Sequence, residues 1–524
     1  MDASADLRYA LTKLQQGPYG ELAIGGETED GDIDTTMFKW VDNEEDGRGS
    51  RWQIQLDKTM RADAAGWLRT FAPDLATGGR PKSCVDYLSD LLVNERRFVP
   101  RAKKKLDIIP LRNAYLIIES DGTIRSVQPD RSYGIDYAIN ADLDMSRVDP
   151  DTGIYTPAQS ATGSLWTNYI TTTLPDEEVR KFSQEVLSTV LLSKCYEKAI
   201  WLYGEGENGK SVMLHLLGKL MPRHYAPVKL ARLVKDQFGT AKINNKRLVL
   251  VSEMPSRLTG EIQDILKAMI SRDAQTGEKK GKDEFSFLPT AVWVFATNDH
   301  VEVPQHEHGF WRKVETLPFT TRVDPNRKVL DLNGLISEDP AEFTQFIDWL
   351  LIGAQALIKR GRWRSSDEKP QAVRDLADQQ RYETDTVSEW LRTVDIRVNP
   401  QAYTVKMDIY NVYKEHVMNR GKHELADNKF WKRMKEHYRD QGLDTDGIQK
   451  TKPGTKQRPY CVNLVLDGVQ PLVWVAANAA NQVPSQSSPS EVDQAPIKER
   501  GEIVIRLSEI PQTDFTAMFP GVAE

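Results

Sequence analysis

The stretch Gly204-Glu205-Gly206-Glu207-Asn208-Gly209-Lys210-Ser211 follows the apolar run Ala199-Ile200-Trp201-Leu202-Tyr203 and precedes a helix-like stretch from Val212 to Leu220. A bare eight-residue pattern means little. A strand before it and a helix after it supply the setting that a phosphate-binding loop requires. The glycines let backbone N–H groups curl around a β-phosphate, Lys210 reaches the β and γ oxygens, and Ser211 offers a hydroxyl to the Mg²⁺ that travels with a nucleotide.

Working outward, Arg247-Leu248-Val249-Leu250-Val251-Ser252-Glu253 reads as a buried strand ending in an acid, and Ile262, Ile265, Leu266 and Met269 mark one face of a helix. Ala291 to Ala296 and Val314 to Phe319 are further strand runs. Strands alternating with helices around a phosphate loop predict a parallel α/β sheet with its ligand at the carboxyl edge. Upstream, a helix passes through Met60, Ala64, Trp67 and Leu68, and a second runs from Cys84 to Phe98. Ile108 to Ile118 reads as a strand, Asp121-Gly122 as a turn and Thr123 to Val127 as a strand. Pro175 opens a helix at Asp176 with Glu177 and Glu178 in its first turn. Downstream, Phe343 to Ile358 is helical, and Arg360 to Arg381 is a polar connector to a smaller unit.

With 524 residues the chain exceeds one core, and 40% hydrophobic with 28% charged residues is ordinary globular composition, so several domains are expected. No apolar run approaches the roughly 20 residues that span a bilayer, and the amino terminus lacks a secretory pattern, which points to the cytoplasm, the host's if the chain is viral. Cys84, Cys195 and Cys461 are widely spaced, excluding a CxxC zinc ribbon and pointing to buried free thiols. A formal net charge of −7 means that any nucleic-acid contact must rest on local basic clusters.

Nucleotide hydrolysis needs a metal anchor, a residue orienting water, a polar sensor of the γ-phosphate and a cation for the transition state. Glu253 ends an apolar strand, where an acid faces either bound phosphates or solvent. Asn298 closes the next strand, where an amide holds the attacking water or merely forms a turn. Arg312, in Gly309-Phe310-Trp311-Arg312-Lys313, is placed to reach a neighbouring subunit's nucleotide, or is a surface cation beside an aromatic. The order of loop, acid-ended strand, amphipathic helix, basic turn, Asn-ended strand and pre-strand Arg is more informative than any one member.

This series resembles the superfamily III helicases, above all the helicase portion of phage and plasmid primase-helicases and their poxvirus relatives. The resemblance rests on Gly204 to Ser211, Leu248 to Glu253, Lys267 to Asp273, Gly277 to Lys282, Phe287 to Pro304 with Asn298, and Trp311-Arg312-Lys313 leading to Pro318-Phe319. Ile109 to Asn113 and Trp166 add looser upstream matches. It implies an AAA+ P-loop ATPase core using ATP and Mg²⁺, with Lys210 on the phosphates, Ser211 and Glu253 at the metal, Glu253 orienting water, Asn298 sensing the γ-phosphate and Arg312 acting in trans. It further implies a homo-oligomeric ring, expected to be a hexamer, threading single-stranded DNA, with Lys279, Lys280 and Lys282 gripping phosphates from a hairpin. Two positions depart from the pattern. Ser252 stands where AAA-type ATPases usually carry an acid, and Ser271-Arg272-Asp273 stands where many members carry Gly-Gly-Asp.

Gln401 to Leu466 holds 13 Lys or Arg against 8 Asp or Glu, a positive unit in an acidic chain. Helices from Met407 to Asn419 and Asn428 to Tyr438, then a hairpin from Ile448 to Val465, predict a winged helix whose Lys432, Arg433 and Lys435 contact duplex or forked DNA. The expected organisation is a flexible leader (1–35), an N-terminal mixed, largely helical domain (36–190), the ATPase core (191–322), a helical subdomain and connector (323–395), the winged-helix-like domain (396–468) and a flexible tail (469–524). About 35 leading residues are too few for a polymerising domain, so a separate primase or polymerase is an expected partner. The function this predicts is an ATP-dependent replicative DNA helicase of a phage or mobile element. A nucleotide-gated initiator that binds DNA without unwinding it is the rival, favoured by Ser252. A monomeric P-loop kinase would leave Arg312 and the basic hairpin without a role.

Overall fold

The computed structural model describes residues 4–15, 22–27, 33–76, 78–100, 107–236, 238–278, 280–281, 284–303, 308–420, 422, 424–444, 460–475 and 503–506. The chain forms two compact units, residues 1–378 and 379–524.

The larger unit begins with α1 (Ala5–Gln15), β1 (Leu22–Glu27) and β2 (Ile33–Val41), then α2 (Asn43–Asp46), β3 (Arg51–Ile54), α3 (Asp57–Phe71) and α4 (Arg80–Asn94). The flexible-leader reading of 1–35 fails here. In α1, Ala5, Tyr9, Ala10 and Leu14 are buried against Leu88, Leu92 and other residues of α3 and α4, and β1 pairs antiparallel with β2. The apolar stripe is thin and Gly/Asp-rich chain surrounds it, which hid a helix whose stability comes from packing.

A four-stranded antiparallel sheet follows, β4 (Asp107–Pro110), β5 (Tyr115–Ile118), β6 (Ile124–Val127) and β7 (Ile154–Tyr155). The run expected to be one strand from Ile108 to Ile118 is thus two. Pro110 has no N–H to extend a ladder, and the turn closes with Leu111 N donating to the Ala114 carbonyl at 2.9 Å.

Helices α5 (Leu165–Thr173) and α6 (Glu177–Ser188) lead into the central sheet. Asp176 caps α6 by accepting from Glu178 N at 2.8 Å and Val179 N at 3.1 Å. The sheet region runs β8 (Ala199–Tyr203), α7 (Lys210–Leu220), β9 (Tyr225–Pro227), α8 (Leu230–Lys235), β10 (Leu248–Val251), α9 (Gly260–Ser271), a hairpin of β11 (Gln275–Gly277) and β12 (Phe285–Phe287), β13 (Val292–Thr297), α10 (His308–Arg312) and β14 (Val314–Pro318). Strand order is β14-β8-β13-β10-β9, and every pair is parallel. Both sheet faces are covered, which is why these strands read as continuous apolar runs rather than alternating ones. Arg272 ends α9 at φ 61°, the left-handed position that glycine fills most easily, so the departure from Gly at this turn is absorbed by backbone geometry.

Helices α11 (Leu332–Glu338), α12 (Pro340–Arg360) and α13 (Gln371–Thr384) follow. The connector from Arg360 to Arg381 is tied down. Arg360 and Arg364 both bind the Glu185 carboxylate of α6, and Lys369 pairs with Glu315 at 2.8 Å.

The smaller unit contains α14 (Thr386–Thr393), β15 (Ile396–Val398), β16 (Thr404–Val405), α15 (Lys406–Asn419), α16 (Asp427–His437), β17 (Cys461–Val462) and β18 (Leu464–Leu466). Trp390, Tyr413 and Phe430 centre its core, so α14 belongs to this unit, which starts before the expected boundary at 396. Strands β15 and β18 pair antiparallel, as do β16 and β17. The charged part of the expected hairpin, residues 448–459, lies outside the described residues. In the segment expected to be a flexible tail, β19 (Leu472–Val475) pairs with β20 (Ile503–Arg506), while the linker at 482–496 lies outside the described residues. Among the described residues no helix is long and apolar enough to cross a membrane.

Candidate functional site

The parallel register brings three strand ends to one edge. Thr297 aligns with Tyr203 and Phe295 with Val251, so the loop after β8, Ser252-Glu253 after β10 and Asn298 after β13 emerge side by side. They open into a cleft of about 860 Å³ lined by Gly206 to Ser211, Ser252, Glu253 and Asn298. Gly204 and Glu205 stand outside that lining.

The glycines answer to contacts. A Cβ on Gly204 would lie 1.9 Å from the Phe319 carbonyl oxygen and 2.0 Å from Asn208 Nδ2, so no side chain fits. Gly209 has φ 82°, and a Cβ there would meet the Tyr169 ring at 2.9 Å. Glu207 is left-handed at φ 49° without being glycine. Its carbonyl accepts from Val323 N at 2.9 Å, and its carboxylate accepts from Arg322 Nη2 at 2.8 Å, with Lys328 Nζ 3.8 Å away. Hydrogen bonding to Arg322 holds that carboxyl below the usual glutamate range.

Lys210 is 5% exposed and turned into the loop. Its ammonium donates to the Gly204 carbonyl and, at 2.9 Å, to Asn208 Oδ1, and burial lowers its pKa. Among the described residues no carboxylate is bonded to it, so an anion arriving in the cleft gains a nearly desolvated positive charge. Asn208 Nδ2 is buried without a partner, a donor left over beside the loop. Ser211, Ser252, Glu253 and Asn298 are exposed to the cleft.

This donor set fits a nucleotide polyphosphate. For Mg²⁺ it supplies hard oxygen ligands, the Ser211 hydroxyl and the Glu253 carboxylate. Among the described residues no group of three or more His, Cys, Asp or Glu could hold a metal, so an ion here depends on ligand oxygens, as Mg²⁺ at phosphates ordinarily does.

The rest of the cleft was not legible in the sequence. Helix α5 supplies Leu165, Asn168, Tyr169 and Thr173, and the Tyr169 hydroxyl donates to the Gly209 carbonyl at 2.9 Å. Glu342 of α12 accepts from the Leu165 and Trp166 amides at 2.9 and 2.7 Å, and Trp166 lies against Phe346 and Trp349. The opposite wall is residues 322–325 and 328–333, contributing Arg322, Lys328, Leu330 and Leu332. The only sequence signal was the spacing of Trp166, Tyr169 and Thr173 on one helix face.

Arg312 is exposed and outside the lining of this chain's cleft. It ends α10 at the other end of the sheet, where Ala199 N donates to the Lys313 carbonyl and Lys313 pairs with Glu197 at 2.6 Å. Of the hairpin lysines, Lys280 is exposed at the β11–β12 turn, while Lys279 and Lys282 lie outside the described residues. On α16, Lys432 and Lys435 are exposed. Arg433 is half-buried and already paired: it binds Asp385 Oδ2 at 2.6 Å and Glu436 at 3.0 Å, and the Asp385 side chain is 1% exposed. Its charge neutralises a buried acid, which removes it from the expected DNA-contacting set.

Residues 202–313, less than half of the chain, match a family described as "Family of unknown function (DUF5906)". The "Putative primase C962R" of African swine fever virus is 24% identical over 177 residues, in isolates from a Namibian warthog and a Kenyan pig. That match covers 31% of this chain and 18% of the relative, so the chain spans less than a fifth of the viral proteins it matches. Among solved structures, the apo C-terminal region of NrS-1 aligns with 71% of this chain and 97% of that one at 12% identity and a TM-score of 0.38. A JCV helicase aligns with 44% and 60% at 15% identity and a TM-score of 0.26. Structural likeness this low leaves the fold to be argued from the chain itself.

Proposed function

We propose that the chain is an ATP-dependent motor of DNA replication, a helicase of a phage or mobile element that translocates on single-stranded DNA as a ring and unwinds duplex. One observation carries the reading: Lys210, Ser211, Glu253 and Asn298, delivered by three separate strands, line a single cleft at the carboxyl edge of a parallel sheet. That edge is where open α/β sheets bind ligands. In this reading the core is of AAA+ type and the smaller unit a winged helix. The similarity to a viral protein named as a primase supports a replication setting.

Lys210 binds the β and γ oxygens, leaving the Gly204 carbonyl as the nucleotide enters. Ser211 and Glu253 would hold Mg²⁺, which when bound would neutralise charge on the phosphates. Glu253 also orients the attacking water, and Asn298 hydrogen-bonds at the γ-phosphate. Arg312, remote from its own cleft, completes the site of the adjoining subunit. Lys280 grips the DNA backbone from its hairpin, and Lys432 and Lys435 contact duplex DNA.

The second reading, a nucleotide-gated initiator that binds without unwinding, is favoured by Ser252, which lines the cleft where related ATPases carry an acid. Steady-state phosphate release with and without single-stranded DNA, paired with unwinding of a forked duplex, separates the two. DNA-stimulated release with strand separation supports the motor. Nucleotide binding without turnover supports the initiator.

A further inference from the structure

A loop built to hold an anion carries an anion of its own. The Glu207 carboxylate repels an incoming polyphosphate, yet it stands between the glycines, facing the cleft. Its partners come from more than a hundred residues downstream: Arg322 Nη2 at 2.8 Å and Nε at 3.2 Å, and Lys328 Nζ at 3.8 Å. All three residues line the cleft with Lys210 and Ser211. The side chains are open to water, Arg322 at 77% exposed, Lys328 at 62% and Glu207 at 50%. Exposed pairs of this kind are weak and exchange readily. A guanidinium offers phosphate oxygens the same two-pronged donor geometry that it offers a carboxylate, and a polyphosphate carries several times the charge.

We propose that Glu207 parks Arg322 and Lys328 beside the empty phosphate loop, and that both cations transfer to the phosphates of an arriving nucleotide, drawing the wall at 322–333 over the cleft. Glu207 is then a competitor that a triphosphate displaces well and a monophosphate displaces poorly, so the device selects for polyphosphate. The inference rests on the nucleotide reading above and deepens it. It gives this chain's own site two phosphate cations besides Lys210, distinct from Arg312.

The test is equilibrium binding of ATP, ADP and AMP to the full chain, at low and high salt, for the wild type, Glu207→Gln, Arg322→Gln, Lys328→Gln and Lys210→Ala. Thermal melts check that each variant folds. Arg322→Gln is expected to weaken ATP about tenfold and AMP little. Glu207→Gln is expected to tighten ATP roughly two- to fivefold, the range that exposed pairs span, with the gain shrinking at high salt. Opposite signs are decisive: if the ion pair only braces the loop, either substitution breaks the same bond and both weaken binding. Same-sign effects, or an Arg322→Gln variant that binds ATP like the wild type, overturn the proposal and leave the nucleotide reading intact. A wild type that binds ATP no better than Lys210→Ala overturns both.

Discussion

Asp348 and Glu207 each pair with an arginine from a distant stretch of the same unit, yet their surroundings differ. The Asp348 side chain is 1% exposed and takes hydrogen bonds from Arg147, the Tyr155 hydroxyl and the Ala158 amide. The Glu207 side chain is half exposed and shares two solvated cations. The same chemistry is architecture in one place and a handle in the other, and burial makes the difference. A buried pair cannot be opened without stranding a charge, whereas water replaces either partner of an exposed one. Glu185 with Arg360 and Arg364, Glu315 with Lys369, and Asp385 with Arg433 fall on the Asp348 side. Apart from Lys210, buried in the phosphate loop, the described cations expected to do work, Arg312, Lys280, Lys432 and Lys435, are exposed.

The largest effect is expected at Arg312. Under the proposed function Arg312→Ala lowers hydrolysis by about 10³–10⁵-fold, with partial rescue when its subunits are mixed with Lys210→Ala subunits, read by phosphate release. Unchanged turnover would make it an ordinary surface cation. Next is Asp348→Ala, which leaves the Tyr155 hydroxyl and the Ala158 amide without their acceptor and Arg147 with Asp144 alone. Its expected cost is about 1–3 kcal/mol, seen as an earlier unfolding transition in denaturant. A loss no larger than that of an exposed pair would remove burial as the deciding variable.

Protonation sharpens the same point. Burial raises the Asp348 pKa above the ordinary aspartate value, so the folded chain binds that proton more tightly than the unfolded chain does. Stability therefore falls as pH rises from the ordinary value through the raised one, and is recovered on acidification across that window. Asp348→Asn, which keeps an acceptor for Tyr155, should flatten this contribution in melts recorded against pH. A slope identical to the wild type's would show that Asp348 is not its source.

The smallest effects separate neighbours on α16. Lys432→Glu with Lys435→Glu should weaken DNA binding and reduce the salt dependence by about two units of slope, leaving the melting temperature near that of the wild type. Arg433→Glu should instead lower the stability of the smaller unit by opposing the buried Asp385. If the lysine pair leaves DNA binding unchanged, the proposed duplex contact is wrong.

Sequence reading succeeded where the physics is local. Gly204 to Ser211 is contiguous, and Leu248 to Val251 and Val292 to Thr297 are buried on both faces, so continuous apolar runs marked strands and their ends located Glu253 and Asn298. It failed where a residue's meaning depends on a distant partner. Lysine and arginine on α16 look alike in a helical pattern; only Asp385, 48 positions away, distinguishes Arg433. Arg322 and Lys328 gave no local signal, because their place in the cleft depends on how the chain returns after β14. The helix at Ala5–Gln15 was hidden because a four-residue stripe means little until α3 and α4 cover it.

Helix α5 has a mechanical consequence. One end hangs by two amides from Glu342 on the long helix α12, and a turn further on its Tyr169 hydroxyl holds the backbone of the phosphate loop at Gly209. The same long helix carries Asp348, bonded to Arg147 and Tyr155. One short helix therefore ties the phosphate loop to a long one that is itself bonded to Arg147 and to Tyr155 of the four-stranded sheet, so the nucleotide cleft and the amino-terminal half share one continuous path of hydrogen bonds.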